Sequence, residues 1–167
     1  MTLLHANPAA RMLGLNELPG KAHYFIGNDP TKWRTNVATY AKVKHENVYP
    51  GVDLVYYGNQ QQLEYDFVVA PGADPTRIAF ALGGADLLEL DSQGDLVLHT
   101  DAGDIRQRKP AVYQDVNGTR HTIAGRYIVT RQHAPRDPAR AKSGESEGSS
   151  SVTPHVNTVS FDVGEYD

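Results

Sequence analysis

The sequence has 167 residues, of which 40% are hydrophobic and 22% charged, and its formal net charge is −4. This length predicts a single domain, and the acidic balance argues against nucleic acid as a partner. The absence of cysteine excludes disulfides, thiolate nucleophiles and cysteine-based zinc sites, and no apolar run approaches the about 18 residues that a membrane-spanning helix needs.

Along the chain, apolar and polar residues alternate with period two between closely spaced glycine, proline and Asp/Asn turn signals. Alternation of this kind predicts strands with one buried and one solvent-facing side. The predicted strands cover 22–26, 38–45, 52–57, 62–69, 77–82, 86–90, 95–99, 104–108, 111–116, 120–131 and 159–163. One helical turn is predicted over 30–33, because Asp29 can cap it and Pro30 suits its first position. The pattern therefore predicts an all-β fold, an antiparallel β-sandwich of about ten strands.

Residues 133–154 interrupt this rhythm with a run of Ser, Gly, Pro and charged residues that offers almost nothing to bury. Such a composition predicts a flexible, disordered loop. A strand is predicted on either side of it, and too few residues follow Pro154 to form another domain. We therefore predict one β-sandwich-like module over 1–167 that contains this loop.

No motif in the sequence is specific for catalysis. The seven histidines are scattered without metal-ligand spacing, and there is neither a GxSxG serine motif nor a phosphate-binding loop. Glu64 and Asp66 lie two residues apart on one strand face, where paired carboxylates could serve a carbohydrate-active enzyme. The alternative interpretation is a solvated strand face, and we predict that the protein is not an enzyme.

A cluster of four aspartates falls in two neighbouring predicted turns: Asp91, Asp95, Asp101 and Asp104. Carboxylate oxygens in tight loops are typical ligands of calcium, so these residues are the candidate metal site. Their spacing does not match the EF-hand loop, and aspartate is also a common turn former. We therefore predict no cofactor, with calcium as the alternative.

Aromatic residues in the first half of the chain are candidate ligand-binding residues. Trp33, Tyr56 and Tyr57 could form a stacking platform for a sugar ring, as in carbohydrate-binding modules. Packing into the core is the alternative role for the same rings.

Three long blocks carry a resemblance to a known family: YFIGNDPTKWRTNV at 24–37, YPGVDLVYYGN at 49–59 and LEYDFVVAPGADP at 63–75. They resemble the N-terminal module of bacterial surface or secreted proteins that carry SBBP-type β-propeller repeats. The resemblance continues through 94–114 and resumes at 159–167. The Ser/Gly-rich segment at 133–154 departs from the family.

The resemblance implies a non-catalytic extracellular or cell-surface module that packs against, or spaces, a following β-propeller of the same polypeptide. It also implies that further chain precedes residue 6 in relatives, so the module is expected to be truncated at its N-terminus. A glycan or another cell-surface component is a further expected partner. The alternative function is a carbohydrate-binding module, and the third is the carbohydrate-active enzyme considered above.

Overall fold

The computed structural model of the protein describes residues 1–59, 62–84, 87–133 and 155–166. The described residues form an all-β, antiparallel fold without α-helices, as the alternation predicts. The strands are β1 (Thr2–Leu3), β2 (Arg11–Tyr24), β3 (Arg34–Tyr49), β4 (Val52–Asn59), β5 (Gln62–Val69), β6 (Ala79–Ala81), β7 (Leu87–Leu90), β8 (Leu96–Thr100), β9 (Gly103–Gln107), β10 (Val112–Val116), β11 (Thr119–Ile123), β12 (Gly125–His133) and β13 (His155–Val163). Two 3₁₀ turns, Pro30–Lys32 and Pro75–Arg77, complete the regular structure of these residues.

The chain divides into two compact units. One consists of Met1–His5 together with Thr76–Asp167, and the other is Ala6–Pro75. Whether they act as one module over 1–167 stays a prediction.

The larger unit is a β-sandwich. Its four-stranded sheet has the order β1-β6-β13-β12, and its three-stranded sheet has the order β7-β8-β9. Both sheets contribute to one buried cluster that consists of Phe80, Leu88, Leu96, Leu98, Tyr127 and Val159. Because a core shared by two sheets forms only when their apolar faces meet, this cluster defines the sandwich. The same unit contains the hairpin of β10 and β11.

The Ala6–Pro75 unit is a four-stranded antiparallel sheet in the sequential order β2-β3-β4-β5. Its buried apolar residues lie where β3 turns into β4, at Val48, Tyr49, Val52 and Leu54. Gly51 makes this turn with a φ of 71°, a conformation that glycine adopts without steric cost.

The alternation predicted most strand cores correctly, and 62–69 coincides with β5. The predicted strand 120–131 is instead two strands, β11 and β12, separated at Ala124. The predicted helical turn at 30–33 is the 3₁₀ turn Pro30–Lys32, capped by Asp29 as expected.

The loop predicted over 133–154 falls outside the described residues, apart from His133 at the end of β12. In the described ranges, no helix combines the length and the apolar character needed to cross a membrane.

Candidate functional site

The Ala6–Pro75 unit carries a two-stranded arm formed by β2 and β3. In the described part of the chain, β4 pairs with β3 only as far as the row of Lys42 and Tyr57. Pairing between β2 and β3 continues beyond this row to Tyr24 and Arg34. We call residues 16–41 the β2–β3 arm. At about 3.3 Å per strand residue, the arm extends about 25 Å along β3 beyond the last row shared with β4.

The arm is exposed on both sides. Every residue from 16 to 37 is exposed except Ala22. Asn16 and Asn36 have φ values of 56° and 58°, and the pairing register shifts twice along the arm. Irregularities of this kind bend a ribbon and increase its local twist.

Apolar side chains concentrate near the end of the arm. Tyr24, Phe25, Ile26 and Trp33, which we call the tip cluster, are 51%, 61%, 76% and 37% exposed. Phe25 meets Trp33 edge to face with ring centroids 5.2 Å apart, and its other neighbour is the parallel ring of His23 at 6.1 Å. The Phe25 and Trp33 rings therefore hold each other in place, and the cluster as a whole presents an apolar surface to solvent.

The indole of Trp33 is held by a hydrogen bond as well as by its ring contact. Trp33 Nε1 donates to the carbonyl oxygen of Gly27 at 3.1 Å. Since the only polar atom of the indole already has a partner, this ring can enter an apolar environment without leaving a donor unsatisfied.

The apex of the arm, beyond the tip cluster, is polar. Asp29 Oδ1 accepts hydrogen bonds from Thr31 N at 3.1 Å and Thr31 Oγ1 at 2.7 Å. These bonds hold the pKa of the Asp29 carboxyl below its ordinary value. Lys32 Nζ lies 3.7 Å from Asp29 Oδ2, so the two apex charges compensate each other.

Arg34 is the cation next to the tip cluster, and it lies directly across from Tyr24 in the ladder. Its guanidinium is exposed and makes no ion pair within the described residues. The end of the arm therefore combines aromatic rings, an aliphatic side chain and a positive charge that has no ion-pair partner among the described residues.

Of the sequence-predicted ligand-binding residues, Tyr56 and Tyr57 lie on β4 and face opposite sides of the sheet, as neighbouring strand residues must. The Tyr56 ring lies 5.9 Å from that of His45 and 6.1 Å from that of Tyr65, and burial raises the pKa of its hydroxyl. The Tyr57 hydroxyl donates to Asp66 Oδ1 at 3.0 Å, and Lys42 Nζ lies 5.0 Å above the Tyr57 ring.

The structure does not bring Trp33 together with these two tyrosines. Trp33 lies immediately before the first residue of β3. Tyr57 pairs with Lys42, which is about 25 to 30 Å farther along that strand. Both tyrosines are half-buried, so among the three rings only that of Trp33 is exposed.

Glu64 and Asp66 lie on the face of β5 that also carries Tyr57, since Glu64 is the direct cross-strand neighbour of Tyr57. Both carboxylates are half-buried, and Asp66 accepts the tyrosine hydrogen bond described above. This face is a row of mutually interacting polar side chains.

The four candidate calcium ligands lie in two pairs at opposite ends of the three-stranded sheet. Asp91 and Asp95 flank the turn between β7 and β8, and Asp101 and Asp104 flank the turn between β8 and β9. A calcium ion contacts its oxygen ligands at about 2.3–2.6 Å, so one ion cannot use both pairs. Within the described ranges, no three His, Asp or Glu side chains are arranged to hold a metal ion.

The first pair already has internal partners. Asp91 Oδ1 accepts hydrogen bonds from the backbone N–H groups of Gln93 and Asp95 at 2.8 and 3.0 Å, and its Oδ2 binds Arg106. The backbone hydrogen bond from Asp95 and the Arg106 guanidinium hold the pKa of Asp91 below its ordinary value. Asp95 Oδ1 accepts the N–H of Lys109 at 2.8 Å. These carboxylates thus perform the turn-forming role considered for them.

Of the second pair, Asp104 takes part in a charge cluster that the sequence did not predict. His99 Nδ1 lies 2.8 Å from Asp104 Oδ1, and its Nε2 lies 3.3 Å from Glu89 Oε1. The carboxylate of Asp104, followed by that of Glu89, raises the pKa of His99. The cluster links β7, β8 and β9. Its three side chains meet because of the pairing register between these strands, which the sequence does not reveal.

Sequence reasoning also missed the arm. The available signal was the run of consecutive apolar residues Tyr24, Phe25 and Ile26 in front of a polar turn. Consecutive apolar residues on a two-sided ribbon cannot all face a core, which is the physical reason for their exposure.

Comparison with known proteins gives a family for the chain but no activity. A family model described as a domain of unknown function, DUF7948, matches residues 1–167. Searches of the curated proteins and of the solved structures each found no significant match. The match covers every residue of the sequence, and the chain therefore belongs to the DUF7948 family.

Proposed function

We propose that this chain is a non-catalytic structural and interaction module that packs against a β-propeller of the same bacterial surface or secreted polypeptide. In this proposal the module is extracellular, and the β2–β3 arm is its docking element. The observation that carries the proposal is the exposed tip cluster beneath a polar apex.

The physical argument begins with the stability of the arm. A two-stranded ribbon is marginally stable in water, and exposed Tyr24, Phe25 and Ile26 gain nothing from the solvent. Apolar side chains surrounded by polar ones are typical of the surface that a protein partner covers. The resemblance to modules that accompany SBBP-type propellers supports the identity of that partner.

A carbohydrate-binding module is the alternative function. A flat sugar platform needs exposed rings in similar orientations, whereas Phe25 and Trp33 meet at 89° and Tyr56 and Tyr57 are half-buried. The geometry of the arm therefore favours a protein partner. A glycan microarray with the intact chain tests the alternative, because a hit that Trp33→Ala removes would support it.

The proposed function is tested by shortening the arm. Replacing residues 18–39 with Asn-Gly joins the cross-strand neighbours Glu17 and Tyr40 through a two-residue hairpin turn. Binding to a recombinant β-propeller of SBBP-type repeats is then measured by calorimetry, with the melting temperature as a check on folding.

We expect the intact chain to bind the propeller and the shortened chain to lose binding while it remains folded. As a matched control, Ile105→Ser alters an exposed aliphatic residue of the other unit and should leave binding unchanged. Equal binding by intact and shortened chains, or no binding by the intact chain, would overturn the proposal.

A further inference from the structure

We infer that the end of the β2–β3 arm inserts as a single anchor into an apolar pocket of the partner protein, with Arg34 facing a carboxylate at the rim of that pocket. This inference rests on the proposed function and adds the binding mode and the chemistry of the partner surface.

The composition of the arm's end supports an anchor. Tyr24, Trp33 and Arg34 lie close together there, and these three residue types are the ones enriched where protein interfaces concentrate their binding energy. Ile26, which is 76% exposed, adds an aliphatic side chain to the same surface. Residues of this kind stabilise a complex most when a pocket removes them fully from water.

Internal contacts order two rings of this surface, those of Phe25 and Trp33, before any partner arrives. The edge-to-face contact of Phe25 with Trp33 and the bond from Trp33 Nε1 to Gly27 fix the rings. Ordering side chains on binding costs free energy, so a group that is already ordered binds more tightly for the same contact area.

The charges specify the rim of the pocket. Lys32 lies near Asp29, whereas Arg34 makes no ion pair within the described residues. A guanidinium forms its strongest contacts with a carboxylate, to which it can donate two parallel hydrogen bonds. An acidic residue at the rim would therefore complement the exposed charge of Arg34.

The polar apex favours a protein over a lipid bilayer. Asn28, Asp29, Thr31 and Lys32 are exposed and lie in the turn between Ile26 and Trp33, so a bilayer that took up the tip cluster would also have to take up this polar turn. Burying the Asp29 carboxylate in hydrocarbon is costly, whereas the polar rim of a protein interface accommodates it.

The experiment uses single substitutions in the intact chain and calorimetric titration with the recombinant β-propeller. Ile26→Ser and Trp33→Ala should each weaken binding by about tenfold or more, while Ile105→Ser should not. Arg34→Glu should weaken binding by a similar factor, and Arg108→Glu, an exposed arginine of the other unit, serves as its control. Raising the salt concentration should weaken propeller binding by the intact chain more than propeller binding by the Arg34→Glu variant.

The outcomes separate this inference from the proposed function. If the propeller binds and shortening the arm abolishes binding, but the tip variants bind like the intact chain, the docking function stands and the anchor is wrong. The anchor is also overturned if vesicles of phosphatidylcholine and phosphatidylglycerol bind the chain and Ile26→Ser removes that binding. Loss of propeller binding in the tip variants alone, with controls unchanged, supports the inference.

Discussion

Individual carboxylates in this protein act through the turns that they close. The Asp91 carboxylate accepts hydrogen bonds from two backbone N–H groups and from Arg106, and its side chain is mostly shielded from solvent. Asp101 occupies the other turn of the same sheet and is exposed. Aspartate is therefore expected to contribute differently to the stability of the fold at the two ends of β8.

We expect Asp91→Ala to lower the melting temperature clearly more than Asp101→Ala does. The pKa of Asp91 is lower in the folded state than in the unfolded state. Its contribution is therefore present above the unfolded-state pKa and is lost as the pH falls through the folded-state pKa. Thermal melts of both variants at neutral and strongly acidic pH check this, because the difference between them should shrink in acid. A difference that grows in acid would contradict the role given to Asp91.

The contribution of His99 to folding stability depends on pH in the opposite direction. Its pKa is raised by Asp104 and Glu89, so the folded state holds the imidazolium proton more tightly than the unfolded state. The resulting stability is fully present below the ordinary histidine pKa of about 6.5 and is lost as the pH rises through the folded-state value.

The prediction is that His99→Gln lowers the melting temperature at mildly acidic pH and changes it little at alkaline pH. Differential scanning calorimetry of the wild type and the variant at both values measures this. Asp104→Asn should reproduce part of the effect, since it removes the nearer carboxylate. An equal loss at both pH values would mean that His99 stabilises the sheet by packing alone.

At the scale of elements, the turn between β3 and β4 sets the register of the Ala6–Pro75 sheet. Gly51 has a φ of 71°, and a Cβ atom at this position would lie 2.7 Å from Ala73 Cβ. Its carbonyl also accepts the N–H of Ala70 at 2.8 Å, which ties the turn to the end of β5.

Gly51→Ala should therefore lower the free energy of unfolding by about 1–3 kcal/mol, from backbone strain and the close contact. Gly20→Ala is the matched control, because no atom lies within 4 Å of its added Cβ. Chemical denaturation of both variants provides the comparison. Equal stability of the two variants would contradict the structural role assigned to Gly51.

The elements also show which features the sequence could predict. Strand β5 follows a clean alternation from Leu63 to Val69, and its bounds were predicted correctly. Pro19 and Gly20 interrupt the alternation of β2, so only its end was recognised. The separation of Trp33 from Tyr56 and Tyr57 depends on the pairing register of β3 and β4, and the pattern of apolar residues does not specify that register.

At the scale of the whole molecule, the larger unit depends on the core shared by its two sheets. Leu96 is fully buried in that core, whereas Leu87, on the adjacent strand, is 40% exposed. Substituting each of the two leucines therefore shows the effect of burial on stability for the same type of side chain.

We expect Leu96→Ala to lower the free energy of unfolding by about 2–5 kcal/mol, through lost burial and the cavity left behind. Leu87→Ala should change it by about 0.5 kcal/mol or less, as for an ordinary surface position. Denaturant titration followed by circular dichroism measures both. Similar losses would contradict the assignment of Leu96 to the sandwich core.

The function proposed for the molecule depends on the one tryptophan in the chain, Trp33, which lies in the tip cluster. Labelling the protein with 5-fluorotryptophan gives one fluorine resonance that reports on the end of the arm. The most direct measurement is a fluorine NMR titration of the intact labelled chain with the unlabelled propeller, with a soluble paramagnetic agent to measure solvent access. We predict that the resonance shifts on binding and becomes protected from the agent. A complex in which this resonance keeps its position and its solvent access, or the absence of any complex, would contradict the proposed docking function of the arm.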